Sequence, residues 1–274
     1  MPELPEVETI RRSLEHRLCG VGIREAEVLL ARQIKWPDVP GFVARVNGRC
    51  ILRLQRRGKY LLLVLDDGSY IVIHLRMTGR LLYAAKEAVQ DSYVRIVFHL
   101  ENGDALYYAD TRTLGAVYAM KPDELWRIRG LAEMGPEPLT AEFSADYLQG
   151  VLAGKKMKIK SFLLNQKWIG GLGNIYADEA LFLAGILPMR EAGSLSGMES
   201  QKLYEAVNRV IADGISEGGT TFRDYIDGDG KKGLHQENLF VYHRTGKACR
   251  NCGDSIVRTV VGGRGTHYCP HCQK

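Results

Sequence analysis

The chain has 274 residues, 45% of them apolar and 25% charged, the balance of an ordinary globular protein and more length than one average domain needs. A disordered, collagen-like or small disulfide-stapled chain is excluded. No run of 18 apolar residues occurs, and the opening Met1-Pro2-Glu3 lacks the basic-then-apolar profile of a secretory signal, so no membrane span or export is expected and the compartment is expected to be the cytoplasm. The net charge of +5 is unevenly spread: residues 1–150 carry 20 charges of each sign, and residues 151–274 carry 17 basic and 12 acidic. Two runs lack acids altogether: Arg45, Arg49, Arg53, Arg56, Arg57 and Lys59, and then Lys155, Lys156, Lys158, Lys160 and Lys167. Such runs suit a polyanion, although a solvated face reads the same way.

Along the chain, Val7, Ile10, Leu14 and Leu18 form the stripe of a helix over 4–18, with Pro5 in its first turn and Glu6 and Glu8 placed for its dipole. From about residue 50 the pattern turns to short β-type runs (60–65, 70–75, 94–100, 105–109 and 116–120) punctuated by Asp67-Gly68 and Asn102-Gly103, which predicts a sandwich or barrel. Two prolines in Gly135-Pro136-Glu137-Pro138 interrupt any regular element, and a helical pattern follows to about residue 215, so a domain boundary is expected there. Residues 216–238 have little periodicity and read as a functional or mobile loop.

The strongest chemical signal is Cys249-x2-Cys252-x16-Cys269-x2-Cys272, two knuckles that can bring four thiolates around one zinc ion. Four protein ligands leave no open position, so the metal is expected to be structural, and two disulfides are the alternative. Between the knuckles, Gly262-Gly263-Arg264-Gly265 reads as a hairpin tip that offers Arg264 to a phosphate or leaves it as a solvated turn residue. Cys19 and Cys50 lie among apolar residues and are expected to be buried, inert thiols. Lys167-Trp168-Ile169-Gly170-Gly171-Leu172-Gly173-Asn174 runs into a helix, an arrangement that serves either anion binding or tight packing. At the N-terminus, removal of Met1 would leave Pro2 as a secondary amine of pKa ~8, partly neutral near pH 7 and able to form an iminium with an aldehyde carbon. Glu3 and Glu6 stand close enough in sequence to act as general acid or base, or else merely to suit a helix start.

In order and spacing, Pro2-Glu3-Leu4-Pro5-Glu6-Val7-Glu8-Thr9, Arg57-Gly58-Lys59-Tyr60, His74-Leu75-Arg76-Met77, Gly135-Pro136-Glu137-Pro138, Gly173-Asn174-Ile175-Tyr176 and Gly263-Arg264-Gly265-Thr266-His267-Tyr268-Cys269-Pro270 resemble the bacterial formamidopyrimidine-DNA glycosylase family over essentially the full chain. The resemblance implies a multi-domain α+β protein. An N-terminal β-sandwich opened by a helix (1–133) would be followed by a helix-two-turn-helix domain with a lesion-recognition loop near 216–234 (134–234), then a β-hairpin zinc finger (235–274). It implies a base-excision repair enzyme, a DNA glycosylase with AP lyase activity, that flips out and removes oxidised purines (8-oxoguanine and formamidopyrimidines) and nicks the strand by β,δ-elimination. By this resemblance Pro2 is the nucleophile, Glu3 the acid that assists sugar opening and Glu6 a supporting carboxylate. Lys59 would assist β-elimination and Arg264 δ-elimination, each beside a phosphate, while His74, Lys155 and Asn174 would contact the backbone.

Extruding a base costs a few kcal/mol, which inserted side chains partly offset. Met77 and Arg112 match the family's inserted residues, whereas Leu114 stands where an aromatic residue is usual and Tyr93 where a histidine is usual. The segment Thr220-Thr221-Phe222-Arg223-Asp224-Tyr225 matches the loop that closes over the flipped base. The expected partner is damaged double-stranded DNA, with no membrane, and the expected state is a monomer in the cytoplasm, associated with the nucleoid when bound to DNA. The expected cofactor is one structural Zn2+ with no catalytic metal. Leu114 and Tyr93 keep open a related glycosylase with specificity shifted toward oxidised pyrimidines or alkylated and bulky bases. A non-catalytic zinc-ribbon module that binds nucleic acid is a third reading.

Overall fold

The stripe at Val7, Ile10, Leu14 and Leu18 becomes helix α1 (Leu4–Leu18) in the computed structural model, which describes residues 2–86 and 88–274. Met1, and with it the expectation that it is removed, lies outside the described residues. After α1 come β1 (Val21–Val28), β2 (Ile34–Trp36), α2 (Val39–Val46), β3 (Arg49–Arg57), β4 (Tyr60–Leu65), β5 (Tyr70–His74), β6 (Gly79–Ala85), β7 (Val94–Leu100), β8 (Asp104–Asp110), β9 (Ala116–Met120) and α3 (Arg129–Ala132). The nine strands form one sheet in the order β2-β9-β5-β4-β3-β1-β7-β8-β6. Val117 of β9 and Leu81 of β6 share one apolar core although they stand near opposite ends of that order. Seven strand spacings of about 4.8 Å would hold them more than 30 Å apart in a flat sheet, so the sheet folds over into the two layers of a sandwich. The two turn signals close the β4–β5 and β7–β8 hairpins, where Gly68 and Gly103 take the left-handed φ of 80° and 91°.

The chain divides into two units, one running through Ala132 and including Glu217–Gln236, the other made of Glu133–Ser216 and Glu237–Lys274. The irregular stretch grouped in sequence with the helices thus packs with the strand-rich unit: Tyr225 enters the sandwich core, and Tyr83 N–H donates to Gly228 O at 3.1 Å. A second correction concerns the two solitary thiols. Cys19 is exposed and Cys50 only half-buried, because Cys19 follows the last apolar position of α1 and Cys50 precedes Ile51, the first buried position of β3.

The second unit holds α4 (Ala145–Leu152), α5 (Ile159–Leu163), α6 (Asn174–Ala184), α7 (Gly197–Ser216) and the hairpin β10 (Val257–Val261) and β11 (Arg264–Tyr268). Ser144 caps α4 by accepting from Tyr147 N–H at 3.0 Å, and Gly185 ends α6 with a φ of 73°. Helix α6 is buried on nearly all sides, the mark of a central helix, and meets α7 so closely that a Cβ on Gly214 would lie 2.5 Å from the Tyr176 ring. Among the described residues no helix is long and apolar enough to cross a membrane.

Candidate catalytic and nucleic-acid sites

In the first unit, Pro2, Glu3 and Glu6 are all buried at the start of α1. Glu3 N–H donates to Glu6 Oε2 at 2.8 Å, and Thr220 N–H donates to Glu6 Oε1 at 2.7 Å, so one carboxylate joins the N-terminal segment to the loop. Gly219 is required for that approach, since it has a φ of 82° and a Cβ there would lie 2.9 Å from Glu6 Cγ. The Tyr225 hydroxyl lies 3.3 Å from Glu6 O and 3.0 Å from Gly218 O, and Thr221 Oγ1 donates to Tyr225 O while accepting from Gly233 N–H, each at 3.0 Å. The segment matched to a lesion loop therefore splits: Thr220, Thr221 and Tyr225 anchor it, and Phe222, Arg223 and Asp224 form its exposed tip.

Lys59 occupies the tight turn between β3 and β4, where Gly58 supplies a φ of 55°. Next to it, across the Tyr60–His74 pairing, His74 is buried, and its pKa is pushed down to about 3 by burial first and then by the charges of Arg76 and Lys59. Its Nδ1 accepts from Arg76 N–H at 3.1 Å, which leaves Nε2 to carry the hydrogen. His74 is a neutral donor at physiological pH. The run of arginines that is acid-free in sequence is not so in space: Arg45 pairs with Glu124, Arg49 with Asp67 at 3.3 Å and Arg56 with Glu8 at 3.2 Å. Arg45 holds Glu124 at about 2. Three of the six residues of this run are therefore engaged in ion pairs, with acids that lie outside the run in the sequence.

Met77 and Leu114, which could have been core residues, are 40% and 49% exposed, and Arg112 and Tyr93 are exposed as well. Their turns are held by a residue that the sequence reading missed. Asp110, fully buried at the end of β8, accepts from Thr78 Oγ1 at 2.6 Å, Gly115 N–H at 2.8 Å, and Arg112 N–H and Gln33 Nε2 at 3.2 Å. The available signal was an aspartate closing a strand two residues before an arginine and five before a glycine, the pattern of a side chain that caps its own turn.

In the second unit, Lys155 lies with its Nζ 4.4 Å from the centre of the Trp168 ring. The lysine of that run with no exposure is Lys160, which pairs with Asp178 at 2.6 Å and donates to Gly265 O and Thr266 Oγ1 at 2.9 Å. Asp178 Oδ2 also accepts from His267 N–H at 2.8 Å, and Asn174 Nδ2 donates to Gly265 O at 3.0 Å. The exposed Arg264 thus sits on a hairpin tip whose base is clamped to α5 and α6. The tip turns on Gly262 and Gly263, with φ of 56° and 74°, the pattern of a two-residue hairpin turn. In the glycine-rich turn, packing claims two donors: Gly170 N–H goes to Pro136 O at 2.8 Å and Gly171 N–H to Gln166 Oε1 at 2.9 Å.

The sulfurs of Cys249, Cys252, Cys269 and Cys272 all lie within 4.8 Å of one another, with Cys249–Cys272 at 3.9 Å and Cys252–Cys269 at 3.5 Å. A zinc tetrahedron with ~2.3 Å bonds has edges of about 3.8 Å, so the donor set fits one Zn2+. Backbone N–H groups of Asn251 and Cys272 point at Cys249 Sγ (3.4 Å) and Cys269 Sγ (3.5 Å), stabilising thiolate character. The site is structural, with no position left for a substrate.

Three family models match the chain: the formamidopyrimidine-DNA glycosylase N-terminal domain over residues 1–117, the H2TH domain of the same enzymes over 134–225, and the zinc finger found in FPG and IleRS over 246–274. The formamidopyrimidine-DNA glycosylase of Pelotomaculum thermopropionicum is 46% identical over 274 residues (100% of this chain, 99% of the relative), and that of Desulforamulus reducens is 47% identical over 275 (100% and 99%). Among solved structures, a Lactococcus lactis Fpg in complex with DNA containing an abasic site superposes with a TM-score of 0.93 at 34% identity, covering 99% of both chains. The MutM (FPG) protein of Thermus thermophilus does so at 0.91 and 38%, covering 99% of this chain and 98% of that one. The chain belongs to the formamidopyrimidine-DNA glycosylase family, a DNA-repair class of glycosylases with AP lyase activity.

Proposed function

We propose that this protein binds damaged duplex DNA, removes oxidised purines such as 8-oxoguanine and formamidopyrimidines, and cleaves the strand at the resulting site, with the Pro2 amine, freed of Met1, as nucleophile. The observation that carries this reading is the buried start of α1, where Pro2 lies beside two carboxylates and Glu6 ties both Glu3 and the base of the Thr220 loop in place. The Pro2 nitrogen bonds to C1′ and gives up its proton, and the purine leaves with the electron pair of the glycosidic bond and takes up a proton in turn. Glu3 gives a proton to the sugar ring oxygen as the ring opens, and the nitrogen lone pair forms the iminium. That cation acidifies C2′. Loss of the C2′ proton then expels the 3′-phosphate, a second elimination expels the 5′-phosphate, and water releases the amine.

Lys59 and Arg264 supply cationic charge at these phosphates, and His74, a neutral donor, adds a hydrogen bond without a counter-ion. Lys155 and Asn174 contribute further backbone contacts. Met77, Arg112 and Leu114 fill the gap left by the extruded base, Tyr93 contacts the adjoining strand, and the exposed Phe222, Arg223 and Asp224 face the flipped base. The zinc ribbon holds Arg264 and takes no part in bond breaking.

Borohydride trapping on duplexes containing 8-oxoguanine, dihydrouracil, an alkylated purine or a bare abasic site tests the proposal directly. Native protein is expected to form a covalent complex with 8-oxoguanine DNA, and a Pro2→Gly variant none. Trapping on the abasic site alone would retain the lyase and move the lesion to another class, in line with Leu114 and Tyr93. No trapping by zinc-loaded protein whose mass shows loss of Met1 would leave a binding module.

A further inference from the structure

We infer that Asp110 is the positioning residue of the probing tip: it sets the turns carrying Met77, Arg112 and Leu114 in one register, so that they enter the duplex as a single wedge. This rests on the proposed wedge role of those three residues and goes beyond it by assigning what aligns them. The turns join β5 to β6 and β8 to β9, pairs of strands that are not neighbours in the sheet, and each contains a non-glycine residue in the left-handed region beside an inserted side chain: Arg76 at φ 53°, just before Met77, and Thr113 at φ 54°, between Arg112 and Leu114. Such conformations persist only where the surroundings over-determine them.

The surroundings converge on one carboxylate. Asp110 Oδ1 accepts from Thr78 Oγ1 in the first turn (2.6 Å) and from Arg112 N–H in the second (3.2 Å), and Thr78 Oγ1 itself lies 3.1 Å from Arg112 N. Oδ2 accepts from Gly115 N–H at 2.8 Å, Gln33 Nε2 at 3.2 Å and the Tyr108 hydroxyl at 3.4 Å. The backbone of the same residue secures the third exposed segment, since Asp110 N–H donates to Tyr93 O at 2.9 Å and Asp110 O accepts from Arg95 Nε at 3.1 Å. Glycines complete the closure. A Cβ on Gly115 would fall 1.8 Å from the Tyr108 hydroxyl, and one on Gly79 2.5 Å from Leu75 O. Because every donor to the carboxylate itself is neutral and directional, the carboxylate holds the two turns in one arrangement.

The test is a coupling experiment. Single-turnover excision of 8-oxoguanine from a fully paired duplex and cleavage of a preformed abasic site are measured for native protein, Asp110→Asn, the double variant Met77→Ala with Leu114→Ala, and the triple variant. Asp110→Asn turns one acceptor into a donor facing donors, and is expected to slow excision roughly 10- to 100-fold, the scale of a misplaced contact, and abasic cleavage at most a few-fold. In the wedge-less background the same substitution is expected to cost almost nothing further. A full additional loss there, or an equal loss on the abasic site, would make Asp110 a general fold residue and overturn the assignment. Native-rate excision by the double variant, which keeps Asp110, would instead refute the wedge itself and take the assignment with it. Should Asp110→Asn be unfolded at the assay temperature, Thr78→Val keeps the carboxylate and removes only the hydroxyl that bridges the turns. It is expected to give the same pattern, weaker, and native behaviour from it overturns the proposal.

Discussion

Two buried aspartates, one in each unit, are neutralised in opposite ways. The Asp110 carboxylate receives backbone, hydroxyl and amide donors, all from within the strand-rich unit, whereas Asp178 is met by the ammonium of Lys160 and by the backbone of the zinc hairpin. Neutral donors are directional and individually weak, so they define the angle of a short turn. A buried charge pair is strong but tolerant of direction, so it suits a clamp between segments about 20 and 90 residues apart in the chain, provided that neither partner is lost. The turns around Asp110 and the hairpin that carries Arg264 therefore differ in what disturbs them: geometry for the first, charge and metal for the second.

The largest expected effect is on the clamped side. Chelation of zinc, or Cys249→Ala, removes the ligand set that holds the hairpin and with it Arg264, so DNA binding should be abolished while the cooperative unfolding of the strand-rich unit persists. Tight binding by protein shown to be metal-free would contradict the scaffold role. Next, Asp178→Ala strands Lys160 without a counter-charge and is expected to cost about 3–5 kcal/mol in denaturant unfolding, while replacing both residues by apolar ones of similar volume should cost far less. Equal losses from the single and paired replacements would show that the charge pair is not what matters there.

The smallest effect concerns protons. Folded His74 resists protonation down to about pH 3, whereas its unfolded counterpart takes a proton near 6.5. Between those values the unfolded state binds more protons, so stability falls as pH falls, by at most about 1.4 kcal/mol per pH unit from this residue. His74→Gln should flatten that slope when denaturant midpoints are compared at pH 7, 6 and 5, and an unchanged slope would place the titration elsewhere. Glu124, held at about 2 by Arg45, loses its contribution in a lower window, from its ordinary value of 4.5 downward.

The sequence by itself determined the local elements and the metal site. The stripe of α1, the runs of β4, β7 and β9, and the Cys-x2-Cys knuckles are written in spacings of a few residues, and backbone periodicity or tetrahedral coordination converts such spacings directly into geometry. The family motifs that drew attention to Pro2, Glu3, Lys59 and Arg264 were equally legible, as contiguous strings. Other properties were decided only by the tertiary structure. Glu217–Gln236 packs with the sandwich, three arginines of the basic run at 45–59 pair with acids outside it, Cys19 is exposed, and Lys160 is the buried member of its lysine run, with Lys155 resting on Trp168. Asp110 belongs with these, because its partners Gln33 and Thr78 lie 77 and 32 residues away. Burial and charge compensation depend on which segments the sheet and helices bring together, and no window along the chain contains that information.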